Sequence, residues 1–128
     1  MYNVKISDNI INTIDRTPIT AYQGADVLIE NNQLAGAGEG SGIAIRDSNA
    51  KIHNNIIGPI GGWNGLWLLG NFDVIAENNT ISDTAREPVL AGEYGNNAPS
   101  PTQARLYLAN NSISSQGNGQ CTSSRWWG

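Results

Sequence analysis

Apolar residues recur along this chain in a frame set by five pairs whose second member is asparagine, at Asn9, Asn32, Asn55, Asn79 and Asn111. Five residues before each stand Val4, Val27, Ala50, Val74 and Leu106, and three before stand Ile6, Ile29, Ile52, Ala76 and Leu108. Two residues after each stand Ile11, Leu34, Ile57, Ile81 and Ile113. The places between are polar or mixed: Lys5, Leu28, Lys51, Ile75 and Tyr107, then Ser7, Glu30, His53, Glu77 and Ala109. A period of two means strands with one buried face, whereas a helix would repeat near 3.6.

The asparagines are spaced 23, 23, 24 and 32 residues apart, so the last interval is a normal period with an insertion. The segment GNNAPSPTQ, about residues 95–103, has loop composition and supplies it. A further apolar run lies midway in each period, on Ile19, Ile43, Leu66 and Val89, with Ala21, Ile45, Leu68 and Ala91 two residues on. Pro18, Gly42, Gly65 and Pro88 precede these runs, as turn residues do where a strand begins. Each period of about 23 residues thus predicts three short strands: before the asparagine, after it, and midway.

Three strands per period is the content of one coil of a parallel β-solenoid. Each strand then stacks on its equivalent one coil away, at a sheet spacing of about 4.8 Å. Like side chains lie over like, which explains columns that keep their chemistry. Asn9, Asn32, Asn55, Asn79 and Asn111 form an internal ladder that passes amide hydrogen bonds up the stack. The residue before each (Asp8, Asn31, Asn54, Asn78, Asn110) suits the left-handed backbone of a tight turn. The ladder also writes Asn-Asn-Thr and Asn-Asn-Ser by itself, so these sequons carry little weight as glycan sites.

With its [VI]-x-[IL]-x-[ND]-N-x-[IL] units, the chain resembles the right-handed parallel β-helix superfamily, the pectate-lyase-like group, over about residues 3–115. The resemblance implies an all-β right-handed parallel β-helix of about five coils, and names no particular enzyme. It implies that Ile19–Gln23 and its equivalents form the sheet that carries substrate. It further implies a polysaccharide-binding or polysaccharide-processing protein, lyase-, epimerase- or hydrolase-like, acting on an acidic glycan, with Ca²⁺ as a cofactor of the family. The competing reading is a non-catalytic β-helix: a surface adhesin, a tailspike-like shaft or a scaffold. An extracellular or cell-envelope location follows from the same resemblance.

Residues 1–115 are expected to hold the coils and 116–128 an irregular tail or partial cap, in which Trp126 and Trp127 would cover apolar columns. A solenoid buries its coils only against neighbours. The chain therefore reads as a piece of a longer β-helix, or as one whose open end is closed by another subunit.

Composition narrows the partners. The net charge is -4 with 7 Lys and Arg, and no basic run is present, so a polyphosphate has little to hold it and nucleic acid is excluded. No apolar run approaches the roughly 20 residues of a membrane-spanning helix. The one cysteine, Cys121, cannot form an internal disulfide.

Candidate chemistry lies where the repeat leaves residues free to vary. Outward on the midway strands are Thr20, Ala44, Trp67 and Leu90, then Tyr22, Arg46, Leu69 and Gly92. Tyr22, Arg46, Asp47 and Glu93 form the candidate catalytic set, since a polyuronate lyase needs a cation against the sugar carboxylate and a base for the C5 proton. Tyr22 and Arg46 fall in one column on adjacent coils, about 5 Å apart at the backbone. Asp47 and Glu93 fall two coils apart, about 10 Å, wide for a shared calcium and nearer the inverting than the retaining glycosidase separation. Trp67 and Trp63, with Arg16 and Arg86 from the loops entering the sheet, form the candidate substrate-binding set. His53, the one histidine, has neither cysteine nor a second histidine near it and reads as a surface residue, so no metal site is expected.

Overall fold

The computed structural model describes residues 2–92 and 104–114. The first coil holds strands β1 (Val4–Ser7), β2 (Ile10–Thr13) and β3 (Ile19–Tyr22). The second holds β4 (Asp26–Glu30), β5 (Gln33–Gly36) and β6 (Ile43–Arg46), and the third β7 (Asn49–His53), β8 (Ile56–Ile60) and β9 (Leu66–Leu69). The fourth holds β10 (Phe72–Glu77), β11 (Thr80–Ile81) and β12 (Val89–Gly92), and β13 (Ala104–Ala109) and β14 (Ser112–Ile113) follow. The expected count of about five coils is thereby corrected to four complete coils and two strands of a fifth among the described residues. The predicted insertion and tail, with Glu93, Trp126 and Trp127, lie outside them.

All strand pairs are parallel and form three sheets, β1-β4-β7-β10-β13, β2-β5-β8-β11-β14 and β3-β6-β9-β12. The register joins the residues that the asparagine frame aligns. Val27 pairs with Val4 and Ala50, Ile29 with Ile6 and Ile52, and Ile43 with Ile19 and Leu66. One irregularity lies between β5 and β8, where Leu34 pairs with Ile57 but Gly36 pairs with Ile60. Gly58 sits in the bulged strand at φ 132°, and a Cβ there would fall 2.0 Å from the Ser82 carbonyl oxygen, so only glycine fits.

The inward columns fill the solenoid. Ile29, Ile43, Ile45, Ile52, Ile57, Leu66, Leu68 and Val74 are completely buried, each such side chain stabilising the fold by about 1.5–3 kcal/mol relative to exposure. At the first coil the same columns are open: Val4 is 49% exposed, against 3% for Val27 beside it. That gradient is what stacking produces, because a rung is covered only where another lies on it.

The asparagine ladder is continuous. The Nδ2 of Asn9, Asn32, Asn55 and Asn79 each donates to Oδ1 of the next asparagine at 3.0 Å. Each backbone N–H donates to that same oxygen. A second Nδ2 bond reaches the preceding coil, from Asn32 to the Ile6 carbonyl, Asn55 to Ile29, Asn79 to Ile52 and Asn111 to Ala76. Asp8, Asn31, Asn54, Asn78 and Asn110 all stand at φ between 56° and 60°, the left-handed turn expected of them.

A second ladder, which residue identity does not announce, leads into the third sheet. Thr17 Oγ1 accepts the Ser41 N–H at 3.0 Å, and Ser41 Oγ accepts the Asn64 N–H at 3.2 Å. Asn64 Nδ2 then donates to the Glu87 carbonyl at 2.7 Å. Ser41 and Asn64 are buried, so these bonds replace water at the turn before β6 and β9. Both ladders thus fix the coil edges that carry the loops.

Candidate functional site

The outer face of β3-β6-β9-β12 holds a cleft of about 460 Å³ lined by Arg16, Thr17, Thr20, Tyr22, Glu39, Trp63 and Trp67. Its origin is a contrast in size between coils. In the loop column ahead of the second ladder stand Arg16, Gly40, Trp63 and Arg86, tied by bonds from the Trp63 N–H to the Gly40 carbonyl and from the Arg86 N–H to the Trp63 carbonyl. In the sheet column stand Thr20, Ala44, Trp67 and Leu90. The second coil therefore contributes a glycine and an alanine where the third contributes two tryptophans. Small residues between larger ones leave the side chains of the first and third coils facing each other across a notch.

Trp63 and Trp67 meet edge to face, with ring centroids 5.7 Å apart and planes at 62°, the arrangement aromatic quadrupoles favour. The Arg86 guanidinium carbon lies 6.0 Å from the Trp63 ring centroid, a cation–π contact. Trp63 remains 37% exposed, so the pair offers indole surface to the cleft. Ala44, expected to face outward, is 1% exposed. Its methyl group lies one strand spacing from both Thr20 and Trp67 and is sheltered between them.

Across the notch, Arg16 lies 3.9 Å from Glu39 and 3.9 Å from Asp15. All three are well exposed, so these ion pairs contribute little to stability, but they set the local charge. Glu39 falls in the column of Asp15, to whose carbonyl its N–H donates at 2.6 Å, a place that no kept residue type marks. It comes from the glycine-rich loop after β5, whose length lets a side chain reach toward the first coil.

Of the predicted catalytic set, Tyr22 and Arg46 are register partners on β3 and β6. Arg46 Nε lies 4.0 Å from Asp47 Oδ2. Asp47 stands at φ 52° in the turn column with Gln23 and Gly70, and its Oδ1 accepts the Asn71 N–H at 3.0 Å. This carboxylate caps a turn. Glu93 lies outside the described residues. Arg16, Tyr22, Trp63 and Trp67 are thus brought together by the cleft, Arg86 backs Trp63, and Arg46 and Asp47 flank it beyond Tyr22.

Elsewhere, His53 Nε2 donates to Glu30 Oε1 at 2.7 Å, and Lys5 Nζ lies 3.2 Å from Glu30 Oε2. The hydrogen bonds from His53 and then Lys5 hold the Glu30 carboxyl below its ordinary pKa of 4.5. His53 is therefore a hydrogen-bonding neighbour of the Lys5–Glu30 ion pair on the first sheet. Among the described residues no three His, Cys, Asp or Glu side chains converge, so no carboxylate cluster there offers Ca²⁺ a site. Nor is any helix among them long and apolar enough to cross a membrane.

Neither a curated protein nor a solved structure matches the chain. Residues 2–124 match the family described as right handed beta helix region. Nearly the whole sequence is covered, and the described residues form a parallel β-solenoid of three sheets: the chain belongs to the right-handed β-helix family.

Proposed function

We propose that the protein binds polysaccharide in the cleft over β3, β6 and β9. The observation that carries this reading is the meeting of Trp63, Trp67 and Tyr22 with Arg16 and Glu39 in one groove. Indole faces suit the C–H face of a sugar ring, and a few convergent polar groups suit its hydroxyls, the usual make-up of a small-molecule site. A protein of this kind would act at the cell envelope or outside the cell. The finer reading, a lyase, epimerase or hydrolase on an acidic glycan, is supported by less. Tyr22 stands beside Arg46, but Arg46 and Arg16 each face carboxylates within 4.0 Å.

Binding to an array of immobilised polysaccharides, with the Trp63→Ala/Trp67→Ala double variant alongside, tests the proposal. Selective binding that the double variant loses is the expected result. Binding that survives it unchanged would remove the cleft from consideration, and no binding to any polymer would favour a shaft or scaffold.

A further inference from the structure

We infer that the cleft selects an uncharged glycan over a polyuronate, an inference that rests on the polysaccharide reading above. Local charge makes the difference. The cleft lining carries one cation, Arg16, and one carboxylate, Glu39, and Asp15 adds a second carboxylate beside Arg16. Next along the sheet, Arg46 and Asp47 form another balanced pair. Arg86 lies over the Trp63 ring, directed at the aromatic surface. A polyuronate laid across β3, β6 and β9 would bring its carboxylates against Asp15, Glu39 and Asp47 as well as against Arg16 and Arg46. Like charges so placed cost more than the exposed pairs return, and the whole chain adds a field of net charge -4.

A neutral sugar meets no such opposition. The Glu39 carboxylate accepts from hydroxyls and the Arg16 guanidinium donates to them. Because the two are already near each other, adjacent hydroxyls on one ring could engage both without stranding a charge. Thr17, Thr20 and Tyr22 add groups that both donate and accept. The indole planes at 62° form a corner, which admits a single soluble chain more readily than a flat crystalline surface.

Affinity electrophoresis of the full chain separates the cases, in gels containing galactomannan or xyloglucan on one side and polygalacturonate or alginate on the other. Retardation by a neutral polymer that persists at high salt and is lost in Trp67→Ala is the expected result. Glu39→Gln, which leaves Arg16 with one carboxylate, should raise retardation by polygalacturonate several-fold. Retardation by the acidic polymers equal to or stronger than by the neutral ones, fading with salt, would overturn the inference while leaving polysaccharide binding in place. No retardation by either kind would overturn the binding reading, and this inference with it.

Discussion

Asn55 gives both its backbone N–H and its Nδ2 to one oxygen, Oδ1 of Asn79, each at 3.0 Å. That oxygen is thereby saturated, and Nδ2 also donates to the Ile29 carbonyl at 3.0 Å and to the His53 carbonyl at 3.2 Å. In turn Asn55 Oδ1 accepts both donors of Asn32. The side chain is 1% exposed, so none of these groups has water as an alternative partner.

Asn55→Ala therefore strands two donors of Asn32 and one carbonyl at once. With about 1–3 kcal/mol for each buried group left unpaired, a loss of at least about 3 kcal/mol is expected. Asn9→Ala, between strands on which Val4 and Ile10 are exposed, should cost about 1 kcal/mol or less by the same rule, since water replaces the lost partner. Urea unfolding of the two variants checks the contrast. Equal losses would mean that the ladder is not what makes the interior rungs costly to break.

Gly65 opens β9 at a close approach of backbone to core. A Cβ there would lie 2.5 Å from Ile81 Cγ2 and 2.7 Å from the Pro88 carbonyl oxygen, whereas at Gly24 nothing lies within 4 Å. Gly65→Ala is expected to lose about 1–3 kcal/mol through overpacking. Gly24→Ala meets no clash, and its cost is confined to the strain of φ 87°, about 1 kcal/mol for a left-handed alanine. Thermal unfolding of both variants should rank Gly65→Ala below Gly24→Ala, and the reverse order would contradict the packing account.

The two ladders explain why the fold was legible in the sequence and the cleft only partly so. Asn9, Asn32, Asn55, Asn79 and Asn111 announce themselves because one residue type serves every rung. Thr17, Ser41 and Asn64 do the same kind of job with three different side chains, so the column keeps its chemistry without keeping its letters. The notch depends on a contrast between neighbouring coils, Gly40 and Ala44 against Trp63 and Trp67, that only register reveals. Aligning columns placed Trp67 outward and picked Arg16, Trp63 and Arg86 from the loops. It passed over Glu39, whose N–H donates to the Asp15 carbonyl one coil away at 2.6 Å, because no kept residue type or apolar pattern marks that loop column. The turn-capping bond from the Asn71 N–H to Asp47 was hidden for a related reason: a carboxylate after a strand looks alike whether it caps or catalyses.

Glu30 links the first sheet to acid stability. Its folded pKa is depressed, chiefly by the hydrogen bond from His53 and next by that from Lys5. A depressed carboxylate contributes stability that is present above its ordinary value of 4.5 and is lost as pH falls through the lower folded value. Glu77 and Lys51, themselves 3.5 Å apart, stand further along the same face and do not change that sign. The difference in stability between wild type and Glu30→Gln should thus shrink as pH falls below that ordinary value. Unfolding midpoints across an acid pH series check this. A difference that grew on acidification would show that the carboxylate is favoured in its protonated form.

Trp67 is the residue through which the binding reading is most exposed to failure. It stands between Ala44 and Leu90 in register and meets Trp63 edge to face, with partial exposure that leaves indole surface toward the cleft. An aromatic anchor truncated at the centre of a site costs about 2 kcal/mol or more, roughly thirtyfold in affinity. Trp67→Ala should show that loss toward the preferred polysaccharide. Its stability should fall by less than that of Ile52→Ala, whose core side chain costs about 2–5 kcal/mol. Titration calorimetry paired with thermal unfolding reads both quantities on one sample. A Trp67→Ala protein that binds as wild type does, but unfolds as easily as Ile52→Ala, would make the indole a piece of packing. One that folds normally and fails to bind would make it the ligand's platform.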